Sequence, residues 1–288
     1  MLHSMTGFAR ASAESGSGRL TWEIRAVNHR YLDVQFRLPE ELRPYEQALR
    51  TQVTGHVRRG KVDCVLAVRR AVDEDTELEL NAELVRILAD RLATIAGMLE
   101  DTRGVDPLDI LRWPGVVRAA EIDGEPLFEE ARGLLGVALD ELTGMRRSEG
   151  GRIAAMILER CADIDRLAAS IRARMPQVLE AAREKMLERL ARLEVDGEPG
   201  RLEAELALVA QKLDVDEEVD RLSSHVSEIR DSVGKPEPVG RRLDFLMQEL
   251  NREANTLGSK SADAETTNAA VELKVLIEQM REQVQNVE

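Results

Sequence analysis

Apolar positions in the first seventy residues cluster or alternate, whereas from about residue 81 onwards they recur every three to four residues. Segments 4–10, 20–38 and 61–70 concentrate β-formers. In the last of these, Val62, Cys64, Val65, Leu66 and Val68 make a short apolar run bounded by charge, as a strand does. Gly16, Ser17 and Gly18 read as a hairpin turn between the first two strands. Pro39 opens a helix that runs to about Val57, with Leu42, Tyr45, Leu49 and Val53 on one face. After an acidic loop at 73–79, Asn81 is placed to cap a helix carrying Leu84, Ile87, Leu88, Leu92, Ile95 and Leu99.

The remainder is helix-periodic. One helix is expected from Pro126 to about Glu194, and glycine and proline at 197–200 end it. A second spans 201–231 up to the breaker at 234–238. A third spans 240–257, with Gly258 as its C-cap and Ser261 as the next N-cap. The terminal helix places Leu273, Ile277, Met280, Val284 and Val287 on a heptad-like seam, which needs a neighbour in this chain or another subunit. The expected fold class is α+β: residues 1–155 form an antiparallel β-sheet with helices, and 156–288 form a domain of long, coiled-coil-like helices. A chain of 288 residues is long enough for two such cores.

Composition narrows the function classes. Aromatics are only 3%, so aliphatic packing carries the core. No stretch approaches the roughly 20 apolar residues of a membrane span, and no basic-then-apolar leader is visible. The expectation is a cytoplasmic protein without membrane contact. Cys64 and Cys161 lack a CxxC or CxxH partner and read as reduced core residues. A net charge of −14 opposes indiscriminate binding to polyanions. The first seventy residues nevertheless hold twelve basic against seven acidic side chains, which suits a nucleic-acid face or an ordinary solvated strand domain.

No phosphate-binding glycine loop, nucleophile elbow or HExxH occurs. The four histidines, His3, His29, His56 and His225, offer no evident acid–base pair. The densest polar pattern is 241–253. There Leu243, Leu246 and Leu250 form a buried stripe, Glu249 and Glu253 share one face, and Asp244, Gln248 and Arg252 define the next. Paired carboxylates at this spacing commonly serve solubility and intrahelical ion pairs. Met by a carboxylate or imidazole from a neighbouring helix, they can also hold Mg²⁺ or Mn²⁺, and Glu218, His225, Glu228, Glu265 and Glu272 are the available partners.

Particular strings add a resemblance. Residues 4–10 (SMTGFAR), 27–32 (VNHRYL), 59–62 (RGKV) and 111–116 (LRWPGV) look like the N-terminal domain of the YicC family. Residues 240–245 (GRRLDF), 248–253 (QELNRE), 255–261 (NTLGSKS), 272–274 (ELK) and 278–288 (EQMREQVQNVE) are similar to its C-terminal domain. That resemblance implies a bacterial endoribonuclease acting on single-stranded RNA with a divalent metal, in ring-like hexameric assemblies that clamp RNA. It supports the C-terminal motif residues as a group without singling out a ligand; from the helical spacing and the want of a histidine pair, Glu249, Glu253 and His225 are the expected metal ligands, with Asp244 and Glu272 as second choices. Arg252 and Lys260 would stabilise charge on the phosphorane, completing a catalytic set of Glu249, Glu253, His225, Arg252 and Lys260. Arg25, Arg30, Arg59, Lys61, Arg241 and Arg242 are the expected RNA contacts, since guanidinium groups bind phosphate bidentately. The rival readings are a non-catalytic RNA-binding adaptor that delivers RNA to a separate nuclease, and a purely structural coiled-coil oligomer.

Overall fold

The computed structural model describes residues 2–16, 18–69, 80–99, 104–117, 124–192, 199–235 and 237–288. Strands β1 (Gly7–Ser15), β2 (Gly18–Val27), β3 (Leu32–Arg37) and β4 (Gly60–Arg69) form one sheet in the order β1-β2-β4-β3. The sheet is antiparallel except at β3 and β4, which pair in parallel. A 3-10 turn (Glu40–Tyr45) and helix α1 (Glu46–His56) make the crossover that a parallel pair requires. The long β-rich segment 20–38 is split because residues 28–31 leave the sheet, with the His29 ring held against the backbone of Tyr31. The acidic loop at 73–79 lies outside the described residues.

Asn81 caps α2 (Ala82–Ala96) by accepting from the Leu84 amide at 3.1 Å. Together with α3 (Pro107–Leu111), α2 forms an excursion that keeps Ile87, Ile95, Met98 and Trp113 exposed. Helix α4 (Gly124–Arg192) then runs for 69 residues and passes through residue 155 without a break. Its first half packs Leu127, Ala131, Leu135, Ala138 and Leu142 against the sheet, where the buried indole of Trp22 donates to the Ala131 carbonyl at 2.8 Å. Its second half contributes Ile153, Ile157, Cys161, Ile164 and Ile171 to a separate core. One helix therefore serves both cores.

The second core is closed by α6 (Asp216–Val233), α7 (Gly240–Lys260) and α8 (Ala264–Val284), preceded by α5 (Pro199–Leu213). α6 and α8 each pack on both α4 and α7. The expected single helix over 201–231 is two, because the Asp214 carboxylate turns back to accept from the Asp216 amide at 3.0 Å. Gly258 lies inside α7 rather than at its C-cap, since packing on α8 outweighs its low helix propensity. Asp263, not Ser261, caps α8, accepting from the Thr266 amide at 2.9 Å. The Thr266 hydroxyl and amide, with Arg174, hold the Asp263 carboxyl below the usual carboxylate range. The heptad-like seam from Leu273 to Val287 is buried within its own chain.

The two cores meet where residues 2–5 and 286–288 cross α4. The Met5 amide donates to the Asn286 carbonyl at 2.7 Å, and His3 and Glu288 exchange backbone hydrogen bonds. Buried Arg146 donates to the Ser4 carbonyl at 2.6 Å and reaches Glu288 at 3.3 Å. Gly150 permits this approach, because a Cβ there would lie 2.0 Å from the Leu2 carbonyl oxygen.

Both cysteines are buried free thiols, as their apolar surroundings in the sequence suggest. Burial pushes Cys64 up to about 12 and Cys161 up to about 11. At neutral pH both therefore stay protonated. Native protein should resist iodoacetamide at pH 7.5 and take up two labels per chain after unfolding, as read by intact mass. Rapid labelling of either thiol in the native state would contradict this packing.

Candidate metal centre

α6 and α7 run antiparallel, and their facing side chains pair in register. Glu228 meets Arg242, His225 meets Glu249 and Glu253, Arg221 meets Glu253, and Glu218 meets Lys260. His225, Glu249 and Glu253 each offer a ligand atom, and these atoms lie within 4.8 Å of one another. Among the described residues this is the group of three or more acidic, histidine or cysteine side chains that could hold an ion. Glu249 and Glu253 are about 40° apart around α7, so one face presents both.

The donors suit a divalent cation. Glu253 is 3% exposed, and its ion partner is Arg221 at 3.6 Å. Glu249 is half-buried and has no ion pair among the described residues. Nδ1 of His225 is sealed from solvent with no hydrogen-bond partner. A buried ring nitrogen left without a partner costs about 1–3 kcal/mol, and a metal or a proton-accepting ligand would relieve that cost. One imidazole and two carboxylates form a mixed nitrogen and oxygen set suited to Mn²⁺, and to Mg²⁺ with water completing the shell.

Other predicted site residues lie elsewhere. Lys260 is engaged by both Glu218 oxygens at 2.9 and 3.1 Å and by the Asp214 carbonyl at 2.7 Å, which places it about 10 Å, two helical turns, from the cluster. Asp244 lies outside the group because five residues carry it about 140° around α7 from Glu249, and it accepts from Gln248 at 3.0 Å. Glu272 lies outside too, exposed on α8, which packs on α7 but not beside α6. Arg252 faces solvent about 60° from Glu249, without an ion pair among the described residues. Arg221 was not among the sequence candidates. Its spacing of four from His225 on one helix was the available signal.

The six predicted RNA contacts occupy three places. Arg25 and Lys61 stand on the sheet face opposite α4, with Arg25 aligned to Asp63 and Lys61 to Val27. Arg30 lies over the Tyr31 ring at 5.2 Å, and Arg59 donates to the His29 carbonyl at 3.2 Å. Arg241 and Arg242 begin α7, where Arg242 pairs with Glu228 at 3.3 Å. The last two places flank one segment. Asn28 donates to the Gln285 carbonyl at 2.6 Å, and Gly240 abuts the Val287 carbonyl.

Comparison with known proteins agrees with these strings and this architecture. Residues 2–155 match the family described as "Endoribonuclease YicC-like, N-terminal region", and residues 171–288 match "Endoribonuclease YicC-like, C-terminal". The chain is 42% identical over 288 residues to a "Probable endoribonuclease YicC" of Haemophilus influenzae, covering all of both chains. It is 33% identical over 293 residues to a protein of the same description from Clostridioides difficile, again covering both chains in full. The gap between the two matched regions falls inside α4. With both regions matched along nearly its whole length, the chain belongs to the YicC-like endoribonuclease family.

Proposed function

We propose that this protein is a divalent-metal-dependent endoribonuclease that hydrolyses single-stranded RNA, with its metal held by His225, Glu249 and Glu253. The observation that carries this reading is the convergence of those three side chains, one ligand atom of each lying within 4.8 Å of the others. The printed descriptions of the relatives, probable endoribonucleases, supply the substrate class. Held by these three residues, Mg²⁺ or Mn²⁺ would supply Lewis acidity toward a phosphate oxygen and a lowered pKa for an attacking water, offsetting the lack of a histidine pair.

The protein's own groups set the conditions for that chemistry. Glu253, buried, anchors the inner side of the site, and Arg221 offsets its charge. Glu249 reaches the rim, where an incoming phosphate passes. Arg252 stands beside it with its guanidinium available for the phosphorane. Arg25, Arg30, Arg59, Lys61, Arg241 and Arg242 supply phosphate contacts at separate points, which one strand could join in a homo-oligomer. The same reading takes the assembly as a hexamer, which sedimentation would measure, in the cytoplasm.

The test is cleavage of a labelled single-stranded RNA by purified protein in Mn²⁺, Mg²⁺ or EDTA. Internal cleavage with metal and its loss in EDTA are expected. Equal cutting in EDTA to leave 2′,3′-cyclic phosphate ends would sink the metal assignment. RNA binding without cleavage under every condition would favour the adaptor.

A further inference from the structure

Beyond the metal cluster, the outward side of α7 carries a second set of groups, of which the proposed chemistry uses only Arg252. Gln248, Asn251, Arg252, Asn255 and Thr256, with Arg281 from α8, line an open groove of about 650 Å³. In a chain with 54 acidic residues and a net charge of −14, no carboxylate lines this groove, and two arginines do. Its amides are ordered. Asn255 donates to Asn251 at 3.0 Å, and Gln248 donates to Asp244 at 3.0 Å. Arg281 is underused: its Nη1 reaches Glu278 only at 3.5 Å, and its Nε is sealed from solvent with no partner.

An exposed aromatic ring precedes the groove on the same helix. Phe245 is 57% exposed, in a chain with only four phenylalanines. It lies one turn before Glu249, three residues before Gln248 and seven before Arg252, on the same solvent-facing strip. An exposed phenyl ring offers a π-face to a nucleobase, side-chain amides read base edges, and guanidinium groups hold phosphate.

We infer that this groove and Phe245 form a binding track for single-stranded RNA along α7, with Phe245 stacking a base beside the metal cluster and Arg252 and Arg281 holding the backbone beyond it. The inference rests on the reading of RNA as substrate and adds where the strand lies. Single strands are specified over duplex, because a paired base has no free face to stack. An acidic surface of a second copy is the competing occupant. It would use the arginines but has no need of Phe245 or the amides.

The track is tested by anisotropy of fluorescein-labelled oligo(A) and oligo(U) 12-mers on the full-length protein in EDTA, where cleavage does not intrude. Sedimentation is followed in parallel. Phe245→Leu should weaken oligo(A) binding by about tenfold and oligo(U) less, while Phe245→Tyr stays close to wild type. Asn251→Asp with Asn255→Asp, which keeps shape but adds charge, should weaken both RNAs by a similar factor. Arg252→Ala should flatten the salt dependence by roughly one phosphate contact. Wild-type affinity in the Phe245→Leu and double-Asp proteins would overturn the track while leaving the nuclease reading intact. Loss of binding only in step with a change of assembly size would also overturn it, marking the groove as a contact between copies. Failure of the wild-type protein to bind either RNA would remove the RNA reading and the track together.

Discussion

Glu253→Gln should reduce metal-dependent RNA cleavage by on the order of 10²- to 10⁴-fold, because it removes the most buried of the three proposed ligands, in a site where the proposed metal would supply several kcal/mol. Glu249→Gln should act in the same direction with a smaller loss, since its carboxylate is half-buried and water can take its place. Both changes preserve shape, so the fold should persist, and circular dichroism and sedimentation check that. The competing account makes Glu253 only the ion partner of Arg221. Arg221→Gln separates the two. If Glu253 serves a metal, removing Arg221 frees the carboxylate and cleavage survives or improves at low Mn²⁺. If the ion pair is what matters, Arg221→Gln is as damaging as Glu253→Gln, and Mn²⁺ titration of the two proteins gives the same curve.

The second large effect concerns stability. Gly150→Ala should lower the unfolding free energy by about 1–3 kcal/mol, because its Cβ would meet the Leu2 carbonyl oxygen at 2.0 Å and residues 2–5 must move off α4. Gly144→Ala on the same helix is the control. Nothing lies within 4 Å of its added Cβ, so it should stabilise by about 0.5–1 kcal/mol through helix propensity alone. Thermal melts and amide exchange at His3, Met5 and Glu288 report the difference. Equal stability of the two variants would mean that the crossing at Gly150 is not as close as described.

The candidate site was legible because its parts obey short-range rules. Glu249 and Glu253 announce a shared face by their spacing, and the apolar stripe of Leu243, Leu246 and Leu250 says which face is buried. The sequence puts His225 ahead of Glu272 as their partner, but the pairing itself depends on the register between the antiparallel α6 and α7, which the packing of the two helices sets. Lys260 shows the same limit. Its charge suggested catalysis, and only the three-dimensional pairing reveals Glu218 and Asp214 as its partners. In the fold, alternation found the strands but not the parallel pairing of β3, which depends on where the crossover through α1 returns the chain. The break at Asp214 was missed because one carboxylate turning back on its own backbone leaves no mark on hydrophobic periodicity.

The length of α4 sets a geometrical constraint between the two halves of the molecule. Leu142 belongs to the sheet's core and Ile153 to the helical one, with uninterrupted helix between them. The azimuth of one half about the helix axis is thus fixed by residue count. One residue added between these positions would swing the α6–α7 cluster about 100° relative to the open sheet face and advance it about 1.5 Å. Seven added residues would restore the azimuth to within about 20° while lengthening the span by about 10 Å. Relatives with different lengths here should therefore differ by whole turns, and the segment behaves as a gear tooth count rather than as a linker.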